Sequence, residues 1–382
     1  MNSSNTKFST AENRWAGIGP YYAMFPSAFC DAVVEKYCQK GGTVLDPFAG
    51  RGTALYSAAT AGRHALGIEL NPVGWVYCRT KLSPADKDDV DARIVQIQAL
   101  AHRYARAALE TPLFFHHCFT AEVRRFLLCA RDLLNWRQDA TDRTLMAFLL
   151  VHLHGKATDS FSNQMRQTKA MAPRYAVEWW RSRGLKPPQI DPVHFLRKKL
   201  DWRYAKGTPR TTRSRIYLGD STGVLRDLKG DLSRRGMQRP SLLLTSPPYF
   251  GITNYHYDQW LRLWLLGGPA NDHRTQNPYN GKHRGKFGNR EAYRQLLGTV
   301  FGRASQLIKP DGIVYVRTDR REPTLTLTKQ ALRLAFPKHS LRRINQPIQG
   351  KTQTRLFGNG DPRLGEVDLL LVPNRRLVGS PG

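Results

Sequence analysis

No stretch of the 382-residue chain approaches the roughly 18 consecutive apolar residues that a membrane-spanning helix needs. Its opening, MNSSNTKFSTAENRW, has no apolar core of the kind a secretory signal carries. Both absences predict a cytoplasmic protein without a membrane partner. Cysteine is scarce and scattered: Cys30, Cys38, Cys78, Cys118 and Cys129 form no C-x-x-C pair and have no histidines at zinc-ligand spacing. Reduced thiols and no structural metal are therefore expected. The shortage that says most is of acid, because 30 Asp and Glu face 59 Lys and Arg and leave a formal charge of +29. Such an excess suits a polyanionic partner, with nucleic acid the first candidate. No internal repeat and no RNP-type or KH-type RNA-binding segment stands out.

Against these absences, the chain carries clear local texture. Residues 11–26, AENRWAGIGPYYAMFP, are rich in aromatics, Gly and Pro and read as an ordered arm. Apolar positions Phe29, Val33, Val34 and Tyr37 predict a helix over 27–40, with Ser27 as its N-cap and Gly41-Gly42 as its stop. Residues 43–72, TVLDPFAGRGTALYSAATAGRHALGIELNP, read as strand, glycine loop, helix, glycine stop and strand, one βαβ unit of a parallel sheet. From Leu82 to Arg215 the pattern becomes helical. Strand texture returns in SRIYLGDS, SLLLTSPPY, GIVYVRTD and EVDLLLVP. The fold class expected is α/β, a Rossmann-like sheet with helices on both faces and a largely helical insertion between its halves. Its parts are 14–80, the insertion 81–212, 213–373 and a tail 374–382.

In LDPFAGRGT the first strand ends at Asp46, and Gly50 and Gly52 permit a tight turn with close backbone approach to a ligand at a helix N-terminus. A dinucleotide fingerprint wants a small residue where Leu55 stands, which disfavours NAD. Glu69 ends the second strand, where a carboxylate's paired acceptor sites suit ribose hydroxyls. Asp220 ends the third, placed to meet an adenine amino group. Three strand ends with this chemistry in order predict a nucleoside cofactor.

DPFAGRGT (46–53), GPYYAMFP (19–26) and TSPPY (245–249) together resemble the S-adenosylmethionine-dependent amino-methyltransferases of DNA. The matching family elements are the D-P-F-x-G-x-G-T loop, an aromatic arm over the methionine end of the cofactor, and the [SND]-P-P-[YFW] tetrapeptide. The resemblance covers roughly 14–80 and 213–373, not the helical block. It implies S-adenosylmethionine as cofactor, bound by Tyr22, Phe25, Asp46, Phe48, Gly50, Gly52, Thr53, Glu69 and Asp220. It also implies a methyltransferase sheet and a catalytic Ser246-Pro247-Pro248-Tyr249.

The tetrapeptide makes physical sense for that reaction. An exocyclic base amine is a poor nucleophile because its lone pair is delocalised into the ring. Acceptors from Ser246 and the Pro247 carbonyl can hold both N–H groups and localise the lone pair, while the prolines fix the backbone. Tyr249 is expected to stack on a base flipped out of the helix. Direct in-line displacement follows, with the proton lost to solvent or Ser246. None of the five cysteines follows a proline, so covalent carbon-5 chemistry is not expected. Within the resembled family, serine in the first position usually goes with N4 of cytosine and Asp or Asn with N6 of adenine, so N4 of cytosine is the expected target, with N6 of adenine or an exocyclic amine of RNA the alternatives.

The expected partner is DNA, double-stranded. Between Arg166 and Arg215 there are 14 Lys and Arg against 3 Asp and Glu, interleaved with Tyr175, Trp179, Trp180, Trp202 and Tyr204. Arg166, Lys169, Arg174, Arg181 and Arg183 are the candidate phosphate or base-edge contacts. Two loops, 280–290 and 345–361, are candidates to lie near the target base. In NYHYDQWLRLWLL (254–266) the aromatic and leucine spacing favours a core-facing helix over a general base at His256 or Asp258.

Overall fold

A computed structural model of the chain describes residues 8–20, 25–234, 237–251, 254–270, 287–344 and 365–374. The chain divides into two compact units.

The sheet unit takes in the described parts of Ala23–Asn71, Thr211–Asn254 and Lys286–Gly382. Its strands are β1 (Thr43–Asp46), β2 (His64–Glu69), β3 (Ser214–Leu218), β4 (Leu242–Thr245), β5 (Ile313–Asp319), β6 (His339–Ile344) and β7 (Glu366–Pro373). They form one sheet in the order β3-β2-β1-β4-β5-β7-β6. β1 to β5 run parallel, and β7 lies antiparallel between β5 and β6.

Every residue of β1, β4 and β5 is buried, as parallel strands covered on both faces must be. Alternate side chains go to opposite layers. Leu45, Leu66, Ile68, Leu243, Val314 and Val316 join a core with helices Ser221–Arg234, Arg290–Leu307 and Thr324–Ala335. On the other face, Tyr315 meets Phe29 and Tyr37 of helix Ser27–Tyr37, and Gly67 meets Leu55 of helix Thr53–Thr60. A Cβ on Gly67 would stand 2.2 Å from Leu55 Cδ1. The small residue that lets this helix approach the sheet is thus on the strand, not at position 55.

Two local expectations are corrected. Ser27 is the first residue of its helix and not the cap, which falls on Pro26 and has no side-chain bond. The helix also ends at Tyr37, where Cys38 turns to extended backbone. β6 escapes the sequence reading because HSLRRI is an edge strand with Arg342 and Arg343 exposed and no hydrophobic alternation.

The helical unit takes in the described parts of Met1–Tyr22, Pro72–Arg210 and Tyr255–Gly285. Five of its described helices start on side-chain caps, Thr10 capping Ala11–Ala16. Asp86 caps Lys87–Leu100, Thr120 caps Ala121–Leu133, Asp139 caps Ala140–His152 and Asp191 caps Pro192–Tyr204. Arg262, fully buried, staples the interior by donating to the carbonyls of Leu150 and Gln167 and to Gln259 Oε1, at 2.6–2.8 Å.

Among the described residues no helix is long and apolar enough to cross a membrane, and no cluster of three or more His, Cys, Asp or Glu is arranged to hold a metal ion. All five cysteines are buried and outside any disulfide.

Candidate active site

The order of the sheet reverses between β1 and β4, and in open α/β sheets ligands bind outside the carboxyl ends of the strands at such a point. β1 ends at Asp46 and β4 at Thr245, the residue before the tetrapeptide. The two ends are joined directly, since Thr245 Oγ1 donates to Asp46 Oδ1 at 2.6 Å in a fully buried bond.

Asp46 also organises the glycine loop by accepting the Phe48 N–H at 3.0 Å. The carboxyl is 2% exposed, and burial raises its pKa from 3.8 to about 7 against the pull of both hydrogen bonds. Gly50 and Gly52 take left-handed backbone, φ +54° and +73°, which a side chain at either would strain. Thr53, buried, begins the helix immediately after Gly52. Arg51, between the glycines, donates to Thr53 Oγ1, and burial lowers its pKa to about 10. Phe48 packs against the core at the loop's tip.

Glu69 pins the loop from β2. One of its oxygens accepts the Gly50 N–H at 2.6 Å and the other the Asn71 N–H at 2.8 Å. Carboxylate oxygens take more than one hydrogen bond each, so ribose hydroxyls can join these partners. At the end of β3, Asp220 accepts from the backbone N–H and the hydroxyl of Thr222 at 2.8 and 2.6 Å, starting the next helix. Ser221 donates to the Pro47 carbonyl, tying that helix start to the loop. Phe25 packs on Phe29 with centroids 5.4 Å apart. Tyr22 lies outside the described residues.

The tetrapeptide is held on two sides. Ser246 Oγ donates to the Tyr249 hydroxyl at 3.4 Å, and that hydroxyl donates to Glu366 Oε1 at 2.9 Å. Tyr293, buried on helix Arg290–Leu307, donates to the Pro248 carbonyl at 2.7 Å. Just beyond, the Phe250 N–H reaches Thr324 Oγ1 at 3.3 Å. The Tyr249 ring is 3% exposed. The sequence reading gives no role to Thr245, Tyr293 or Glu366, because each is an ordinary residue inside a strand or helix.

Residues 2–74 match the N6/N4 methyltransferase family, described as DNA methylase. The matched segment contains the glycine loop and the carboxyl that ends β2. Over 70 residues, 18% of the chain, it is 29% identical to the type II methyltransferase M.MjaII of Methanocaldococcus jannaschii, and the match spans 13% of that protein. Among solved structures, TrmN of Thermus thermophilus is similar at TM-score 0.35 and 12% identity, over 95% of this chain and 52% of that one. The rRNA methyltransferase aviRa of Streptomyces viridochromogenes gives 0.36 and 12%, over 98% and 100% of the two chains. Likeness at that level bears on neither fold nor activity.

N6/N4 DNA methylases use S-adenosylmethionine, and the loop of this chain fits it. Carboxyls at the ends of β1, β2 and β3 suit a ligand with a cationic centre, ribose hydroxyls and an adenine amine. They would repel a polyphosphate.

The basic residues singled out lie in the helical unit, on or before helix Pro173–Arg181 or just after it, and all five are at least partly exposed. Arg174 pairs with Glu178 at 2.9 Å, Arg181 donates to His117 Nε2 at 3.3 Å, and Arg183 lies over the Trp179 ring at 4.8 Å. Lys169 is bound to Asp258 at 2.6 Å, and the Arg166 carbonyl meets His154 Nδ1. His256 and Asp258 are both buried, and burial raises the Asp258 pKa. The loop 345–361 and residues 280–286 lie outside the described residues.

Proposed function

We propose that this chain methylates an exocyclic amine in DNA, N4 of cytosine, with S-adenosylmethionine as donor. The observation that carries the reading is the Thr245–Asp46 hydrogen bond, which ties the strand end bearing the tetrapeptide to the strand end bearing the cofactor loop. When bound, S-adenosylmethionine supplies an electrophilic methyl group on a sulfonium. Asp46, Glu69 and Asp220 hold the cofactor's polar groups, and Gly50 and Gly52 let the backbone approach it.

Ser246 and the Pro247 carbonyl accept the two N–H groups of the target amine and turn its lone pair outward. The proton leaves to solvent. The base is flipped out of the duplex and stacks on Tyr249; because that ring is 3% exposed, its entry displaces whatever covers the ring. Arg166, Arg174, Arg181 and Arg183 of the helical unit, with Lys169, contact the DNA backbone or base edges.

Incubation with labelled S-adenosylmethionine and unmethylated genomic DNA, followed by mass spectrometry of the nucleosides, tests this. The expected product is N4-methylcytosine, lost in Ser246→Ala. N6-methyladenine would overturn the choice of base and keep the amine cradle. No methylated nucleoside in DNA, with one found in RNA, would overturn the choice of polymer.

A further inference from the structure

Serine in the amine cradle poses a problem that aspartate would not. A carboxylate only accepts hydrogen bonds, whereas a serine hydroxyl is a donor with two acceptor sites and rotates to suit its surroundings. Facing an amine, a freely rotating hydroxyl has its proton pointed for part of the time at the nitrogen lone pair that the reaction needs.

We infer that Glu366, acting through the Tyr249 hydroxyl, is a positioning residue that holds Ser246 as a hydrogen-bond acceptor toward the target amine. The inference rests on the amine-methylating function proposed above. The Tyr249 proton is committed to Glu366 at 2.9 Å, a charge-assisted bond stronger than a neutral alternative. Tyr249 Oη therefore offers its lone pairs to Ser246, whose proton takes them at 3.4 Å. That distance is long for O–H···O, so the contact sets direction more than it adds strength. With its proton turned to Tyr249, Ser246 presents lone pairs elsewhere.

Glu366 is itself fixed. It begins β7 beside Arg317 of β5, whose Nη1 lies 3.8 Å from Glu366 Oε2. Arg317 donates twice to Asp368, at 2.7 and 3.0 Å, and lies 3.5 Å over the Phe29 ring. Burial raises the Glu366 pKa, while Arg317 and the Tyr249 hydrogen bond pull it down and Asp368 and Asp319 push it up. Burial is the largest of these and the net shift is upward, with the guanidinium opposing it.

The test is a double-mutant cycle of Tyr249→Phe and Glu366→Leu, with Glu366→Gln as the variant that keeps shape and one acceptor. Each of the first two is expected to lower kcat by roughly tenfold or more with KM for DNA and cofactor little changed. The double variant should be no worse than either single, and Glu366→Gln should lose less. Replacing Ser246 by Asp, an acceptor in any rotamer, should shrink the Tyr249→Phe loss to about twofold or less.

Multiplying losses, unchanged kcat in both singles, or a shift in KM and unfolding midpoint alone would overturn the relay. No methyl transfer by the parent protein to DNA or RNA would overturn the functional reading and the relay with it. Transfer by the parent with unaffected variants overturns the relay only.

Discussion

Asp46 is the group whose chemistry the fold disturbs most usefully, and Asp46→Asn isolates that disturbance. The amide keeps Oδ1 to accept from Phe48 and Thr245. It removes only the charge. Burial raises the folded pKa from 3.8 to about 7, so the contribution of this group to stability is fully present below pH 3.8 and lost as pH rises through about 7. Over that interval the loss totals about 4 kcal/mol, of which under about 2 has accrued by pH 5. The amide of the variant never ionises and escapes it. Urea unfolding of both proteins at pH 5, 6.5 and 8, compared at equal m-value, should therefore show the variant gaining about 2–3 kcal/mol on the parent between pH 5 and 8 and nothing further above.

The same substitution should weaken cofactor binding, since the proposed role of the carboxylate is to face a cationic ligand. In the parent, affinity for S-adenosylmethionine should rise as pH climbs through about 7, with proton release visible by calorimetry in buffers of different ionisation enthalpy. A variant more stable at pH 8 and poorer at binding is the signature of a site that gives up stability for function. A stability difference that is flat between pH 5 and 8, or one that moves against the variant, would refute the assignment of a buried, reluctantly ionised Asp46.

Three further variants probe the rest of the architecture. Thr245→Val removes the 2.6 Å bond that helps Asp46 ionise; it should cost about 1–3 kcal/mol and move the pH dependence of cofactor affinity upward from about 7. Gly67→Ala drives a methyl to within 2.2 Å of Leu55 Cδ1 and should destabilise by about 1–3 kcal/mol, with Leu55→Ala in the same chain restoring part of the loss in a denaturant melt. Arg181→Glu with Arg183→Glu should weaken DNA binding at low salt by about tenfold or more and flatten its salt dependence, while cofactor affinity is untouched; unchanged DNA affinity would remove helix Pro173–Arg181 from the proposed interface.

Legibility followed chemistry that is contiguous in the chain. The strand, glycine loop and helix of 43–60, the carboxyls at Glu69 and Asp220 and the strand before Ser246 were readable because each motif encodes its own geometry within a few residues. What was not readable is what holds the motifs in place across the sheet. The absent third glycine illustrates it: Leu55 tells against a dinucleotide fingerprint, and only the structure shows that Gly67, on the neighbouring strand, supplies the space for it. Asp46 likewise reads as a ligand, yet its first partner is Thr245, 199 residues later.

Glu366 is the extreme case, separated from Tyr249 by 117 residues and carried by a strand whose apolar run marks it only as core. Antiparallel pairing of β7 with β5 is what brings it there. Asp319 of β5 stands opposite Glu366 in register, and Arg317 stands opposite Asp368. A one-residue slip of β7 would turn Glu366 and Asp368 to the other face and leave Arg317 buried without its carboxylate. Breaking a buried pair in that way costs about 3–5 kcal/mol. The Arg317–Asp368 pair thus locks the register of β7, and with that register fixed, Glu366 reaches the tetrapeptide.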